Sequence, residues 1–170
     1  MSITEPKDGF IKVHGVTLHY LDWGGAGDPI VIVHATGFFG RMYRPFAAAL
    51  RAIGRCYTFD QRGHGDSGAA AKLEDHNWAR TMDDLGGFIG AMGWASARAF
   101  GHSSGATAIG ALAAERPGLI TRAVLAEPVI FESPTAPELA WRNPFIERTL
   151  KRRRVFDSVE AMYANFEHKP

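Results

Sequence analysis

Gly101-His102-Ser103-Ser104-Gly105 stands between a β-prone run, Ala97 to Gly101, and a small-residue helical run, Ala106 to Glu115, which Pro117 ends. A serine placed this way at a strand-to-helix junction sits on a sharp turn that lifts its hydroxyl above the end of a sheet, and the flanking glycines let the crowded backbone pass. The turn therefore demands a buried strand before it and a helix after it. The remaining sequence supplies the same alternation. Ile30-Val31-Ile32-Val33 reads as a strand buried on both faces, Cys56-Tyr57-Thr58-Phe59 as another, and Ala123-Val124-Leu125-Ala126 as a last buried strand. Helices are expected over Tyr43 to Ile53 and Trp78 to Met92. In the second, Trp78, Met82, Leu85, Ile89 and Met92 fall on one face. Gly86 and Gly87 cost about 1 kcal/mol each against alanine there, which points to close packing against the sheet. Phe10 to His14 and Thr17 to Trp23, divided by Gly15, read as an opening antiparallel pair. The fold class is α/β, a mostly parallel, doubly wound sheet with helices on both faces.

Charge narrows the function. Lys and Arg number 19 against 18 Asp and Glu, a net charge of +1 in 170 residues, which argues against nucleic acid or an anionic membrane surface as a partner. Hydrophobic residues at 46% fit a folded domain, and a chain of this length buries roughly 70% of its unfolded surface in one core. Lone Cys56 allows no internal disulfide, and no Cys/His spacing marks a zinc site. Met1 to Phe10 has no apolar leader segment and no apolar run approaches a membrane span, so a cytoplasmic protein is expected.

Residues 1–130 read as one α/β unit and 131–170 as a linker followed by two helices, Phe145 to Arg154 and Asp157 to His168. Residues 141–170 hold seven basic and four acidic side chains, and Lys151-Arg152-Arg153-Arg154 reads as a solvated helix face. Trp141, Phe145, Phe156, Tyr163 and Phe166 read as core aromatics of that segment. Gly63-His64-Gly65-Asp66-Ser67-Gly68 satisfies G-x-G-x-x-G, with Asp83 20 residues on. The glycines open no helix, so the match is a pattern without its dinucleotide-binding context, and no cofactor is implied.

Three stretches together resemble the α/β-hydrolase fold family over about Gly9 to Val129. They are the Ser103 turn; His34-Ala35-Thr36-Gly37-Phe38 after a buried strand, similar to that family's oxyanion loop though with Ala35 where glycine is common; and Asp60-Gln61-Arg62-Gly63-His64-Gly65-Asp66-Ser67-Gly68 after the fourth strand. The resemblance implies acyl transfer from a small-molecule acyl substrate. Ser103 attacks the carbonyl carbon, and the backbone N–H groups of Ser104 and of Thr36 or Gly37 hold the oxyanion, each worth about 3 kcal/mol in the transition state. Serine at the turn disfavours the family's epoxide hydrolases and haloalkane dehalogenases, which attack with a carboxylate, and leaves carbon-carbon bond hydrolases and perhydrolases open.

A serine nucleophile also needs a histidine base and an acid, in the chain order serine, acid, histidine. Glu127, directly after the strand Ala123 to Ala126, is the acid candidate, either as triad member or as a structural or substrate-facing carboxylate. No histidine holds the family's position after a last strand: His14 and His19 lie in the opening pair, His34 and His64 in the loops, His76 before a helix, His102 beside the nucleophile but pointing to the opposite face, and His168 in the expected second helix of the C-terminal segment. The resemblance thus implies a hydrolase truncated within a helical cap, nearly inactive alone, with its last strand an unpaired edge prone to self-association. The alternative class is a non-catalytic binding protein on the same scaffold.

Overall fold

A computed structural model describes residues 5–130, 151, 153 and 155–167. The chain divides into two compact units, residues 1–130 and 131–170.

In the first unit six strands form one sheet in the order β1-β2-β4-β3-β5-β6: β1 (Lys7–Val13), β2 (Val16–Gly24), β3 (Pro29–Val33), β4 (Arg55–Phe59), β5 (Ala97–His102) and β6 (Ile120–Ala126). β1, β2 and β4 pair antiparallel, and β4, β3, β5 and β6 pair parallel. The hairpin turns at His14 and Gly15, both at positive φ (43° and 80°), the geometry that matches strand twist in a two-residue turn.

The run Ile30-Val31-Ile32-Val33 is buried on both faces because side chains alternate across the pleat. Val31 and Val33 pack with Phe59, Ala97 and Ala99 against α2 (Trp78–Ala91) and α3 (Ser104–Glu115), through Leu85, Phe88, Ile89, Ile109 and Leu112. Ile30 and Ile32 face the other way, with Leu21, Trp23 and Cys56, against Tyr43 and Ala47. That second face carries α1 (Arg44–Leu50), preceded by a 3-10 turn over Gly40–Tyr43, where the sequence reading placed one helix to Ile53. Pro45 at the helix start fits α1, since its missing N–H is unpaired there anyway. Asn77 caps α2 by accepting from the Arg80 N–H at 2.9 Å. Of the two α2 glycines, Gly87 packs against the sheet as expected, since a Cβ there would strike Val13 of β1, whereas one on Gly86 would meet Arg116 at 2.6 Å and Leu112 of α3 at 3.2 Å.

The expectation that Ala123 to Ala126 is a buried strand is corrected. β6 is longer and stands at the sheet edge, with residues 121–125 all exposed and Val124 61% accessible. The edge position itself is the one expected from the family resemblance, and only the burial read from apolar composition fails.

In the second unit α4 (Val159–Phe166) starts at Ser158, whose side chain accepts from the Ala161 N–H at 3.1 Å. Arg153 pairs with Asp157 at 3.1 Å and lies over the Phe156 ring. Tyr163 and Phe166 are 68% and 51% exposed, so the reading of them as core aromatics does not hold. An eight-residue helix offers little surface to bury rings against. Trp141, His168 and, of the other expected helix, Phe145 to Leu150, Arg152 and Arg154 lie outside the described residues, while Lys151 and Arg153 are exposed as expected but not helical. Among the described residues no helix is long and apolar enough to cross a membrane.

Candidate functional site

Ser103 follows the end of β5 and immediately precedes α3 with φ 52° and ψ −117°. This is a strained conformation for a residue with a Cβ. Two glycines make it possible. A Cβ on Gly101 would lie 2.6 Å from the backbone of Ala106, and one on Gly105 would strike the Val33 carbonyl and come within 2.7 Å of that of His34. Backbone atoms cannot yield as a flexible side chain can, so α3 starts this close to β3 and β5 only with glycine at both positions. The Ser103 N–H donates to the Ala126 carbonyl at 2.9 Å, which ties the turn to the end of β6. Its own carbonyl accepts from the Thr107 N–H, and the Thr107 hydroxyl holds Val129 through both its N–H (2.9 Å) and its carbonyl (3.0 Å). Glu127, between these anchors, is exposed and also strained, at φ 50°.

The loop after β3 approaches the same edge. His34 is fully buried, with one ring nitrogen on the Ala35 carbonyl (2.8 Å) and the other accepting from the Gln61 N–H (2.9 Å). Burial, aided by His64, pushes its pKa down to about 4, so its neutral ring braces the loop. Gln61 also donates from its side chain to the His34 carbonyl. The Gly37 N–H is taken by Nε2 of His64 at 3.0 Å. Gly37 is the second of the two alternative oxyanion donors that the family resemblance implies. The Thr36 N–H and the Ser104 N–H have no acceptor among the described residues.

The loop after β4 explains the glycine pattern that mimics a dinucleotide fingerprint. Asp60, at the end of β4, accepts from the Gly40 N–H (2.6 Å), the Asp66 N–H (3.0 Å) and the His19 ring (2.8 Å). The chain wraps this carboxylate so tightly that a Cβ on Gly65 would fall on it, and Gly63 and Gly65 both take positive φ. The glycines serve a carboxylate-centred turn.

His19 is 3% exposed and also touches Asp8 at 3.0 Å. Burial is the largest influence on it and opposes its charge, but the hydrogen bonds to Asp60 and Asp8, with attraction from Asp60 and Asp66, raise its pKa above 6.5. A folded-state pKa above the unfolded one contributes stability that is full below pH 6.5 and is lost as pH rises through the folded value. The urea midpoint should therefore fall as pH rises above 6.5, and His19→Gln should flatten that fall. An equally steep decline in the variant would assign it to other groups.

Beside the turn lies a cleft of about 300 Å³ lined by Phe38, Met42, Tyr43, Phe46, Phe100, His102, Ala126 and Glu127. Ser103 is not among the lining residues, but its neighbours His102 and, across the ladder, Ala126 and Glu127 are. Of the lining residues, the sequence offered Glu127 as a candidate acid and set His102 aside as a base. Tyr43 and His102 meet at 2.8 Å across 59 residues of chain, a pairing no local pattern announces. Among the described residues no histidine ring is hydrogen-bonded to Ser103, and Cys56, the other nucleophilic candidate, is buried with its thiol pushed up to about 11.

The sequence matches the alpha/beta hydrolase family over residues 30–168. It is 36% identical over 112 residues to a putative non-heme bromoperoxidase, BpoC, of Mycobacterium tuberculosis, covering 65% of this chain and 41% of that protein. It is 32% identical over 123 residues to N-formylmaleamate deformylase of Pseudomonas putida, covering 72% and 45%. The crystal structure of epoxide hydrolase A from Mycobacterium thermoresistibile matches with a TM-score of 0.70 at 26% identity, over 81% of this chain and 44% of that one. The chain spans about half the length of the curated relatives it matches.

Proposed function

This chain belongs to the alpha/beta hydrolase family, and from that membership we propose that it carries the nucleophile and oxyanion part of a serine hydrolase acting on an ester or related acyl bond. The observation that supports the reading best is the strained Ser103, held at φ 52° by two glycines whose replacement would collide with backbone. Strain of this kind persists where the surrounding structure enforces it, and it clusters at reactive sites.

In the proposed reaction Ser103 Oγ adds to the carbonyl carbon, and the carbonyl oxygen gains the charge. The Thr36 and Ser104 N–H groups, both without an acceptor among the described residues, receive that oxyanion. Collapse of the adduct expels the alcohol or amine with a proton, and water then releases the acid from the serine ester. Glu127, strained at the end of β6 beside the turn, is the acid that would orient a histidine. Of the described histidines, His19, His34, His64 and His102 each hold another partner through a ring nitrogen. The similarity to a deformylase, which by its name removes a formyl group, fits acyl chemistry.

The test is covalent labelling. A fluorophosphonate, with imidazole added as an external base, should place one phosphonyl group on the peptide containing Ser103, read by mass spectrometry, and Ser103→Ala should abolish it. Labelling that continues at the same rate on another residue of the variant would end the proposal.

A further inference from the structure

The cleft next to Ser103 has a definite chemistry. Its walls are four rings, Phe38, Tyr43, Phe46 and Phe100, with Met42 and Ala126. Phe46 stacks on Phe100 at 4.9 Å between centroids, and Phe38 meets the His102 ring edge-on at 5.8 Å. A void of about 150 Å³ is enough for a benzene ring. The 300 Å³ here takes a ring and a short polar arm.

Two polar groups interrupt the apolar wall, and hydrogen-bond economy fixes what one of them offers. The Ala35 N–H, which can only donate, points at the Tyr43 hydroxyl at 3.1 Å. That oxygen acts there as acceptor. Tyr43 is buried, so its own O–H also needs an acceptor, and Nδ1 of His102 stands 2.8 Å away. His102 therefore carries no proton on Nδ1 and, in its neutral form, carries one on Nε2. Nε2 has no partner among the described residues, while the ring lines the cleft. The second polar group is the Glu127 carboxylate, an acceptor and a negative charge. Among the described residues no lysine or arginine lines the cleft, and Arg41 and Arg44, close along the chain to Met42 and Tyr43, pair with Glu5.

We infer that this cleft is a ligand subsite of the proposed hydrolase for a neutral aromatic or branched-alkyl group, whose acceptor oxygen takes the His102 Nε2–H, and that Glu127 excludes carboxylates from it. The inference rests on the acyl-transfer reading for its purpose and on the cleft alone for its chemistry. It also separates this chain from its deformylase relative, whose name specifies a carboxylate-bearing substrate.

The experiment uses the 170-residue chain with ¹³C-methyl methionine and ¹⁵N histidine. Acetophenone, a neutral ring with one carbonyl acceptor, is titrated against benzoate, the same ring as an anion. Acetophenone should shift the Met42 methyl and the His102 ring signals saturably, with the ¹⁵N shifts reporting an unprotonated Nδ1 before ligand is added. Benzoate should bind on the order of tenfold more weakly at neutral pH. Glu127→Gln should bring the two ligands to within about threefold, and acetophenone binding by the variant shows that its cleft is still formed. Equal affinity of the unmodified chain for both ligands, or acetophenone shifts confined to residues away from Met42 and His102, would overturn the subsite. Binding as expected with no fluorophosphonate label on Ser103 would retire the acyl-transfer reading and leave a ligand site, and labelling without binding would retire the subsite alone.

Discussion

Asp84→Ala should lower the stability of the chain by about 3–5 kcal/mol, the cost of leaving one partner of a buried ion pair uncompensated. Arg62 meets both carboxylate oxygens of Asp84 at 2.7 Å, and the two side chains are 5% and 1% exposed. The paired geometry is the strong, two-bond form of this contact. Removing the carboxylate strands a guanidinium whose other hydrogen bond among the described residues is to the Asp75 carbonyl at 3.2 Å. Urea unfolding of Asp84→Ala measures the loss. The double variant Arg62→Met with Asp84→Leu should recover most of it, because the desolvation cost of both charges disappears together. Full stability in the single variant would mean that water reaches the pair and screens it. The effect reaches the site through a short chain of contacts: Arg62 anchors the loop after β4 to α2, that loop carries His64, and His64 takes the Gly37 N–H beside Thr36. Fluorophosphonate labelling of Ser103 should therefore slow in Asp84→Ala even where the fold persists.

What the residues announced was local. The Ile30 to Val33 run, the one-sided apolar spacing of α2 and the Ser103 turn are each readable within a few residues, because pleat, helical period and glycine permissiveness act over that range. α3 begins at Ser104, two residues before its expected start, since the turn itself supplies the first helical residue. The polar bracing of the site was not readable. Asp60 with His19 and Gly40, Tyr43 with His102 and Ala35, and Arg62 with Asp84 join positions 8 to 59 residues apart, and only the assembled sheet brings them together. For β6 the place at the edge was anticipated from the family resemblance, but the apolar residues of the strand gave no sign that its side chains are exposed.

Gly105→Ala separates the geometric role of the glycine turn from helix propensity, since alanine is the better helix former by about 1 kcal/mol. The added methyl would lie on the Val33 carbonyl and within 2.7 Å of the His34 carbonyl. Relief requires the start of α3 to move away from β3. That movement displaces the Ser104 N–H, at the start of α3, relative to the loop after β3 that carries Thr36. Overpacking of this kind costs about 1–3 kcal/mol, and loss of one oxyanion donor costs roughly 100- to 1,000-fold in rate. Ser103 phosphonylation in Gly105→Ala should fall by about that factor, well beyond what the stability loss explains under conditions where the variant is folded. Gly110→Ala is the control. It lies in the same helix, where a Cβ meets only the Leu125 side chain at 3.6 Å, an ordinary contact. It should leave labelling unchanged and add up to about 1 kcal/mol of stability. Equal labelling rates in the two variants would show that the turn does not position the oxyanion donors, and the reason for glycine at 105 would then be packing alone.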